Sequence, residues 1–168
     1  MSTDREQPTD VEAFWNLARF HAKLNAAPTY FGPTTLEVVP PPAWSFGATP
    51  EQADELLTLV LHGEKTATAS ALWDYEVDGE ELPQVGALSI IVDSAGHPHA
   101  LIETTDVGVV PFDEVDEIHA MLEGEGDQTL AYWRSAHQRF FTEHASHDRG
   151  FSPDMPVVLE RFRVIYQA

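Results

Sequence analysis

The sequence contains no cysteine among its 168 residues, so disulfide bonds and thiolate metal sites are excluded. It also has no apolar run near the roughly 18 residues that a membrane-spanning helix needs. The polar start, MSTDR, lacks the apolar core of a signal peptide. We therefore expect a cytoplasmic protein with no membrane partner, and its 43% hydrophobic content is typical of a globular chain.

Positive charge is scarce as well. Lys and Arg together number 9 against 28 Asp and Glu residues, for a formal net charge of -19. Such an acidic protein repels phosphate backbones, so we expect no DNA partner and weak non-specific binding to RNA. A nucleoside-like small molecule is compatible with this charge, as is single-stranded RNA held in a locally basic groove. Adaptation for solubility or salt explains the acidity equally well.

Lysine is rare, and one lysine, Lys65, lies in the segment 63–70, GEKTATAS. A lysine flanked by hydroxyl side chains directly after a helix-stop glycine is in a position suited to chemistry. The alternative is a solvated lysine whose charge favours the C-terminal end of a helix dipole. The hydroxyls of Thr66, Thr68 and Ser70 could equally form the exposed face of an edge strand.

The chain divides into a flexible N-terminal tail, residues 1–9, and a single domain, residues 10–168. Apolar residues at helical spacing predict a first helix that has Asp10 as its N-cap and is ended by Pro28. The proline-rich segment 31–47 is predicted to be an extended connector.

A second helix carries stronger boundary signals. Thr49 is the expected N-cap, Pro50 the first helical residue, and Gln52 the partner of a capping box. Gly63 is the expected stop. After segment 63–70, the chain is predicted to run extended through residues 72–75.

Residues 86–93 and 100–110 are rich in β-branched and aliphatic side chains and flank a turn, which predicts a hairpin. A short helix after Pro111, a long helix capped by Asp127 and a final strand over residues 156–166 complete the chain. Strands in the middle with helices around them predict an α+β fold, a small mixed barrel flanked by helices, with the N-terminal helix added to it.

Three short motifs follow one another along the chain. They are Gly63-x-Lys65-Thr66-x-Thr68, then His119-Ala120-x-x-Glu123, then the run EGEGD over residues 123–127. Together they resemble the ASCH domain, a PUA-like β-barrel family, in its longer bacterial branch, which is often labelled predicted RNA-binding. The resemblance covers approximately residues 15–166 and implies the PUA-like fold.

The resemblance also implies a function. One branch of the superfamily hydrolyses the exocyclic amide of N4-acetylcytidine and related N4-acylcytosines. Its lysine, its threonine three residues later and its glutamate in a His-Ala-x-x-Glu setting correspond here to Lys65, Thr68 and Glu123. That branch is shorter and lacks both the N-terminal helix and the EGEGD run. Other proteins resembling the longer form are metal-dependent ribonucleases or RNA binders, and a non-catalytic nucleoside-binding module is a third alternative.

Amide hydrolysis needs a nucleophile, proton transfer and a group that stabilises the oxyanion. Thr68 would attack the amide or position a water that does, and Lys65 would accept a proton or stabilise the oxyanion as a cation. Glu123 would protonate the leaving nitrogen or orient the substrate. Lys65 and Thr68 can converge only through a bend, because positions i and i+3 of a regular strand face opposite sides. We expect neither Lys65 nor Glu123 to be a core residue, so their loss should leave stability nearly unchanged.

Six further residues are candidates for substrate binding: Thr66, Ser70, Trp73, Tyr75, Trp133 and Arg134. Aromatic side chains commonly stack on nucleobases, although an aromatic residue of a small domain is more often part of the core. Arg134 would contact a phosphate or, alternatively, pair with Glu125 or Asp127.

We expect no cofactor for the amidohydrolase. A ribonuclease would instead need Mg²⁺ or Mn²⁺, for which Glu123, Glu125 and Asp127, with His119 nearby, offer suitable ligands. Their spacing matches no defined metal loop, and Asp127 has a competing role as an N-cap. Three histidines, His137, His144 and His147, are interpreted as surface or packing residues.

Overall fold

The computed structural model describes residues 9–22 and 39–168, so residues 1–8 of the predicted tail, residues 31–38 of the predicted connector and Pro28 lie outside the described residues. Five α-helices occur in these ranges: α1 (Asp10–His21), α2 (Pro50–Leu61), α3 (Leu72–Asp78), α4 (Glu117–Glu123) and α5 (Leu130–Glu143). Five strands accompany them: β1 (Ala43–Trp44), β2 (Ala67–Ala71), β3 (Leu88–Val92), β4 (Pro98–Pro111) and β5 (Pro156–Gln167). None of the helices in the described ranges is long and apolar enough to cross a membrane.

The five strands form one sheet in the order β1-β3-β4-β5-β2. All neighbours are antiparallel except β1 and β3, which run parallel. The predicted α+β class is confirmed, but the sheet is not closed into a barrel. Pairing among the described strands stops at β1, which has only two residues, and at β2 on the opposite edge.

Helices cover both faces of this sheet. Because successive side chains of a strand point to opposite faces, Ile90 packs against the apolar stripe of α1 while Ile91 packs against α2. A further cluster under α5 joins Trp133 to Val157 of β5. Both α2 and α5 therefore pack against the sheet, which fixes their positions.

The N-terminal boundaries of α1 and α2 follow local capping rules, with two corrections. Thr9, not Asp10, is the N-cap of α1, and its hydroxyl accepts from the Glu12 N–H while the Glu12 carboxylate accepts from the Thr9 N–H. Thr49 caps α2 as predicted, but the Gln52 side chain accepts from the Ala48 N–H, so the predicted capping box is not formed.

The C-terminal end of α2 is as predicted, because Gly63 has a left-handed φ of 77°. The end of α1 is not, since this helix stops at His21, before Pro28 is reached.

The prediction of an extended chain through residues 72–75 is wrong, because this segment is helix α3. No side chain caps its start, so the sequence offers little local warning. The helix is held instead by distant contacts, since the Asp74 carboxylate accepts from the backbone N–H groups of Ser146 and His147.

The later elements agree with the predicted order. The hairpin of β3 and β4 is formed, and β5 pairs with β4 along nearly its whole length. The long helix begins at Leu130 with Thr129 as its N-cap, not Asp127. Asp127 supports the cap from outside the helix, because its carboxylate accepts from the backbone N–H and hydroxyl of Thr129.

Candidate functional site

A cavity of about 260 Å³ opens between α2, the start of β2 and α5. The three predicted catalytic residues, Lys65, Thr68 and Glu123, all line it. Two residues without a predicted catalytic role, Glu125 and His137, line it as well. The cavity therefore gathers side chains from the helix exit, from β2, from the acidic loop and from α5.

Lys65 lies between the end of α2 and the first residue of β2, so it is outside the regular strand. Its backbone N–H still bonds to the Leu59 carbonyl oxygen of α2 at 3.1 Å. This bend removes the objection that Lys65 and Thr68 would face opposite sides of a strand, and the side chain of Lys65 turns into the protein with only 1% of it exposed.

Three acceptors surround the Lys65 Nζ atom. They are the Ala67 carbonyl oxygen at 2.9 Å, Glu125 Oε2 at 3.4 Å and Glu123 Oε1 at 3.5 Å. An ammonium group has three N–H donors and no acceptor site, so this environment matches the cationic form. The Phe46 ring, 5.5 Å from Nζ, forms the apolar side of the same pocket.

The EGEGD run reaches Lys65 because its glycines permit a very close approach. Gly124 has a left-handed φ of 71°, and a Cβ atom there would lie 2.2 Å from the Glu64 carbonyl oxygen. Beside it, the Thr66 N–H donates to the Leu122 carbonyl oxygen at 2.8 Å. A Cβ at Gly126 would likewise collide with the Tyr132 ring at 2.4 Å. The two glycines are therefore required for packing, and their close approach places the Glu123 and Glu125 carboxylates beside Lys65.

Glu123 is a buried acceptor contacted by four donors. Its Oε2 accepts from His119 Nε2 at 2.8 Å and from the Trp133 indole N–H. Its Oε1 faces His137 Nε2 at 3.2 Å as well as Lys65. Burial acts to raise the pKa of the Glu123 carboxyl, but the charges of His137 and Lys65 and the histidine hydrogen bonds outweigh it and hold the pKa well below its usual value. Glu123 is therefore an ionised carboxylate at neutral pH.

His137 lines the cavity and is not a surface residue, although it does pack, as one interpretation expected, against Trp133. Its Nδ1 faces the Trp133 carbonyl oxygen at 2.9 Å, and its Nε2 faces Glu123. Two acceptors call for two N–H donors, which only the imidazolium has. Burial acts to lower the pKa of His137, but Glu123 outweighs it and the pKa is raised. The sequence contained one signal for this position: His137 follows Trp133 by four residues, which places both side chains on the same face of α5. In the structure the two rings stack with their centroids 4.2 Å apart.

The other two histidines lie outside the ion-pair network of Lys65, Glu123 and His137. His144 lines the outer part of the cavity, and His147 packs edge-on against Trp73. The packing interpretation is therefore supported for His147.

Glu125 differs from Glu123 in exposure and in electrostatics. A quarter of its side chain, 25%, is exposed, against 2% for Glu123. Burial raises the pKa of the Glu125 carboxyl, the neighbouring Glu123 carboxylate raises it further, and Lys65 only partly opposes them. Of the two carboxyls beside Lys65, Glu125 is the one with both access to the cavity and a raised pKa.

Thr68 lies on β2 opposite Glu160 of β5 and is half-buried at the cavity wall. The six predicted substrate-binding residues, by contrast, do not line this cavity. The Thr66 hydroxyl bonds to the Leu122 carbonyl oxygen, and the Ser70 and Tyr75 hydroxyls bond to each other at 2.9 Å.

The remaining three candidates have structural contacts. Trp133 is buried and donates to Glu123, while the ring of Trp73 lies beneath the Arg149 guanidinium. Arg134 pairs with neither Glu125 nor Asp127 in the described contacts. Its guanidinium donates to the backbone carbonyl oxygens of Asp113 and Val115, which ties α5 to the segment before α4.

The predicted metal set is not assembled, because Asp127 is exposed and bonded to Thr129. Within the described parts of the chain, the group with metal-ligating atoms close together is Glu123, Glu125 and His137, whose atoms lie within 4.8 Å of one another. The Lys65 ammonium already lies 3.4 and 3.5 Å from the two carboxylates. These residues therefore do not fit a divalent cation unless Lys65 is displaced, and they form a buried ion-pair network instead.

Comparison with known proteins identifies a family match and two similar structures. The family model described as the ASCH domain matches residues 42–166. The fold is similar to an ASCH domain structure from Lactobacillus crispatus, with a TM-score of 0.76 and 32% identity over 94% of this chain and 97% of that one. It is also similar to a DUF984 protein from Enterococcus faecalis, with a TM-score of 0.77 and 37% identity over 92% and 87% of the two chains. No curated protein matches the chain.

Proposed function

This chain belongs to the ASCH domain family, and from that premise we propose that it is an amidohydrolase of the N4-acylcytidine type, acting on a modified pyrimidine nucleoside or a related small amide. One observation carries the proposal. Lys65, Thr68 and Glu123 come from three separate segments and meet at one cavity. A convergence of this kind is what a catalytic set requires and what a solvated helix-end lysine would not show.

The size of the cavity favours a small substrate. At about 260 Å³, it lies just below the roughly 300–1,000 Å³ typical of ligand sites. Its rim carries Glu55 and Glu143 beside Arg139, so it offers no concentrated positive charge to a phosphate backbone. Together with the net charge of -19, this favours a single nucleoside over a nucleic acid strand.

The contacts of Lys65 favour one of its two predicted roles. All three N–H donors of the ammonium face acceptors, so it has no free lone pair with which to take a proton. As a buried cation it would stabilise the negative charge that develops on the substrate carbonyl oxygen. Glu123 holds this cation in place through its contact with Nζ.

Because Lys65 is engaged as a cation, it does not serve as the base that would make the Thr68 hydroxyl a nucleophile. We assign Thr68 the role of positioning the attacking water through its hydroxyl. Water adds to the amide carbon, the carbon–nitrogen bond breaks, and a carboxylic acid and the free exocyclic amine are released.

The test is release of cytidine from N4-acetylcytidine, followed by chromatography with and without EDTA. Thr68→Val and Lys65→Met should lose turnover, whereas Thr58→Val, whose hydroxyl bonds to the Asp54 carbonyl oxygen on the exposed side of α2, should retain it. Turnover that survives EDTA and follows this pattern supports the amidohydrolase. Absence of turnover in the folded wild type contradicts it.

The same preparations distinguish the alternatives. Cleavage of single-stranded RNA that depends on added Mn²⁺ would assign a ribonuclease. Saturable nucleoside binding without turnover would assign a non-catalytic binding module.

A further inference from the structure

We propose that Glu125, and not Glu123, is the carboxyl group that contacts the substrate amide and carries the proton from the attacking water to the leaving nitrogen. Glu123 is then a positioning residue that acts through Lys65 and His137. This inference rests on the proposed amidohydrolase function and deepens it by dividing the work between the two carboxyl groups of one loop.

Glu123 is closed to a substrate by its own contacts. Both of its oxygens face protein donors, namely His119 and Trp133 at Oε2 and His137 and Lys65 at Oε1. Only 2% of its side chain is exposed. A ligand could contact this carboxylate only by displacing one of these four partners, each of which is itself buried or nearly so.

Glu125 has the opposite situation. It lines the cavity with a quarter of its side chain exposed, and its Oε2 lies 3.4 Å from Lys65 Nζ. The carbonyl oxygen and the nitrogen of an amide are bonded to the same carbon atom. The groups that act on them must therefore lie side by side, and this condition is met by the Glu125 carboxyl, which is exposed to the cavity, and by the adjacent Lys65 ammonium, which acts through its charge.

The proton transfer balances without any further reactant. The Glu125 carboxylate takes a proton from water as the water oxygen bonds to the amide carbon, and the Lys65 ammonium stabilises the resulting oxyanion. The carbon–nitrogen bond then breaks, and the Glu125 carboxyl returns the proton to the departing nitrogen. The products are a carboxylic acid and the free amine, and Glu125 ends as it began.

The electrostatics of the site lower the pKa of Glu123 and raise that of Glu125, as the proposed division of roles requires. Lys65, Glu123 and His137 are the charged groups that face Glu125 from the helix exit, from its own loop and from α5. Burial and the Glu123 charge raise the pKa of the Glu125 carboxyl, which makes its carboxylate a better proton acceptor, whereas Glu123 stays ionised. Two carboxyl groups whose environments push their pKa values apart are the usual basis for assigning an acid and a permanent anion.

The matched experiment compares Glu125→Gln with Glu103→Gln, a glutamate on β4 paired with Arg163 and remote from the cavity. We expect Glu125→Gln to lower kcat on N4-acetylcytidine by about 10²- to 10⁴-fold, the usual contribution of general acid–base catalysis. KM should change far less, because the amide side chain still fills the site. Glu103→Gln should behave as wild type.

A pH profile provides a readout that a merely structural role would not change. In wild type, kcat/KM should fall as the pH is lowered through the pKa of Glu125, because only the carboxylate form accepts the proton from water. Glu125→Asp, with a shorter side chain, should be slower but should still lose activity at low pH. If Glu125→Gln fails to fold, Glu125→Asp alone decides the matter, because a kcat equal to that of wild type would overturn the role.

The outcomes separate this inference from the function on which it rests. An inactive wild type refutes the amidohydrolase and this role with it. An active wild type with Glu125→Gln within about threefold of its kcat refutes only the role of Glu125.

Discussion

Replacing Glu123 with glutamine should destabilise the protein strongly, although it changes neither the size nor the shape of the side chain appreciably. The carboxylate is the shared acceptor for Lys65, His119, His137 and Trp133. A glutamine amide would remove the negative charge that Lys65 and His137 share and would turn N–H donors against other donors. Breaking a buried ion pair by removing one partner costs about 3–5 kcal/mol. At roughly 2–4 °C per kcal/mol for a chain of this size, the melting temperature should fall by about 6–20 °C.

The assay is thermal and urea unfolding followed by circular dichroism at neutral pH, with Glu103→Gln as the matched control. Glu103 and Arg163 form a shorter ion pair, at 2.8 Å, but their side chains are 28% and 64% exposed. An exposed pair of this kind contributes only about 0–1 kcal/mol. If Glu123→Gln lowers stability no more than Glu103→Gln, the buried network does not stabilise the fold.

Three further predictions concern the walls of the site. Gly124→Ala should destabilise the protein by more than Gly63→Ala in urea unfolding. Both glycines have left-handed φ angles, but only at Gly124 would a Cβ atom collide with the Glu64 carbonyl oxygen. Equal losses of stability in the two variants would contradict the close approach. His137 has a raised pKa when folded, so the stability that it contributes should be fully present below its unfolded pKa of about 6.5 and lost as pH rises through its folded pKa. The difference in unfolding free energy between wild type and His137→Asn should therefore shrink above that range, and a constant difference would count against an imidazolium. Thr49→Ala should cost about 1 kcal/mol through loss of the α2 N-cap, and an unchanged urea midpoint would show that the cap is dispensable.

The expectation that Lys65 and Glu123 are not core residues is wrong, because both are fully buried. Charged residues are almost never fully buried unless they are paired, so a sequence containing an isolated lysine and a glutamate in an acidic loop favours solvent exposure for both. The two residues become buried because they meet each other, and they are 58 positions apart in the chain. Variants of either residue must therefore be checked for folding before any loss of activity is assigned to chemistry.

Local rules account for the elements that the sequence predicted correctly. An N-cap threonine followed by proline and a stop glycine define α2, since capping and left-handed backbone preferences depend on a few adjacent residues. The β3–β4 hairpin likewise follows from apolar runs on either side of a turn. Helix α3 was missed because its side-chain contacts reach Ser146 and His147, far along the chain.

The sequence by itself determined the N-cap threonine of α2, the hairpin, the α+β class and the family motifs that contain Lys65, Thr68 and Glu123. Only the tertiary structure decided that the sheet stays open, that His137 belongs to the site and that Glu123 and Glu125 differ in character. The physical reason is that backbone propensity acts between neighbours, whereas burial and charge depend on every group within a few ångströms. Glu123 and Glu125 carry the same chemical group in one short segment, and they differ because four donors surround Glu123 whereas a quarter of the Glu125 side chain remains exposed.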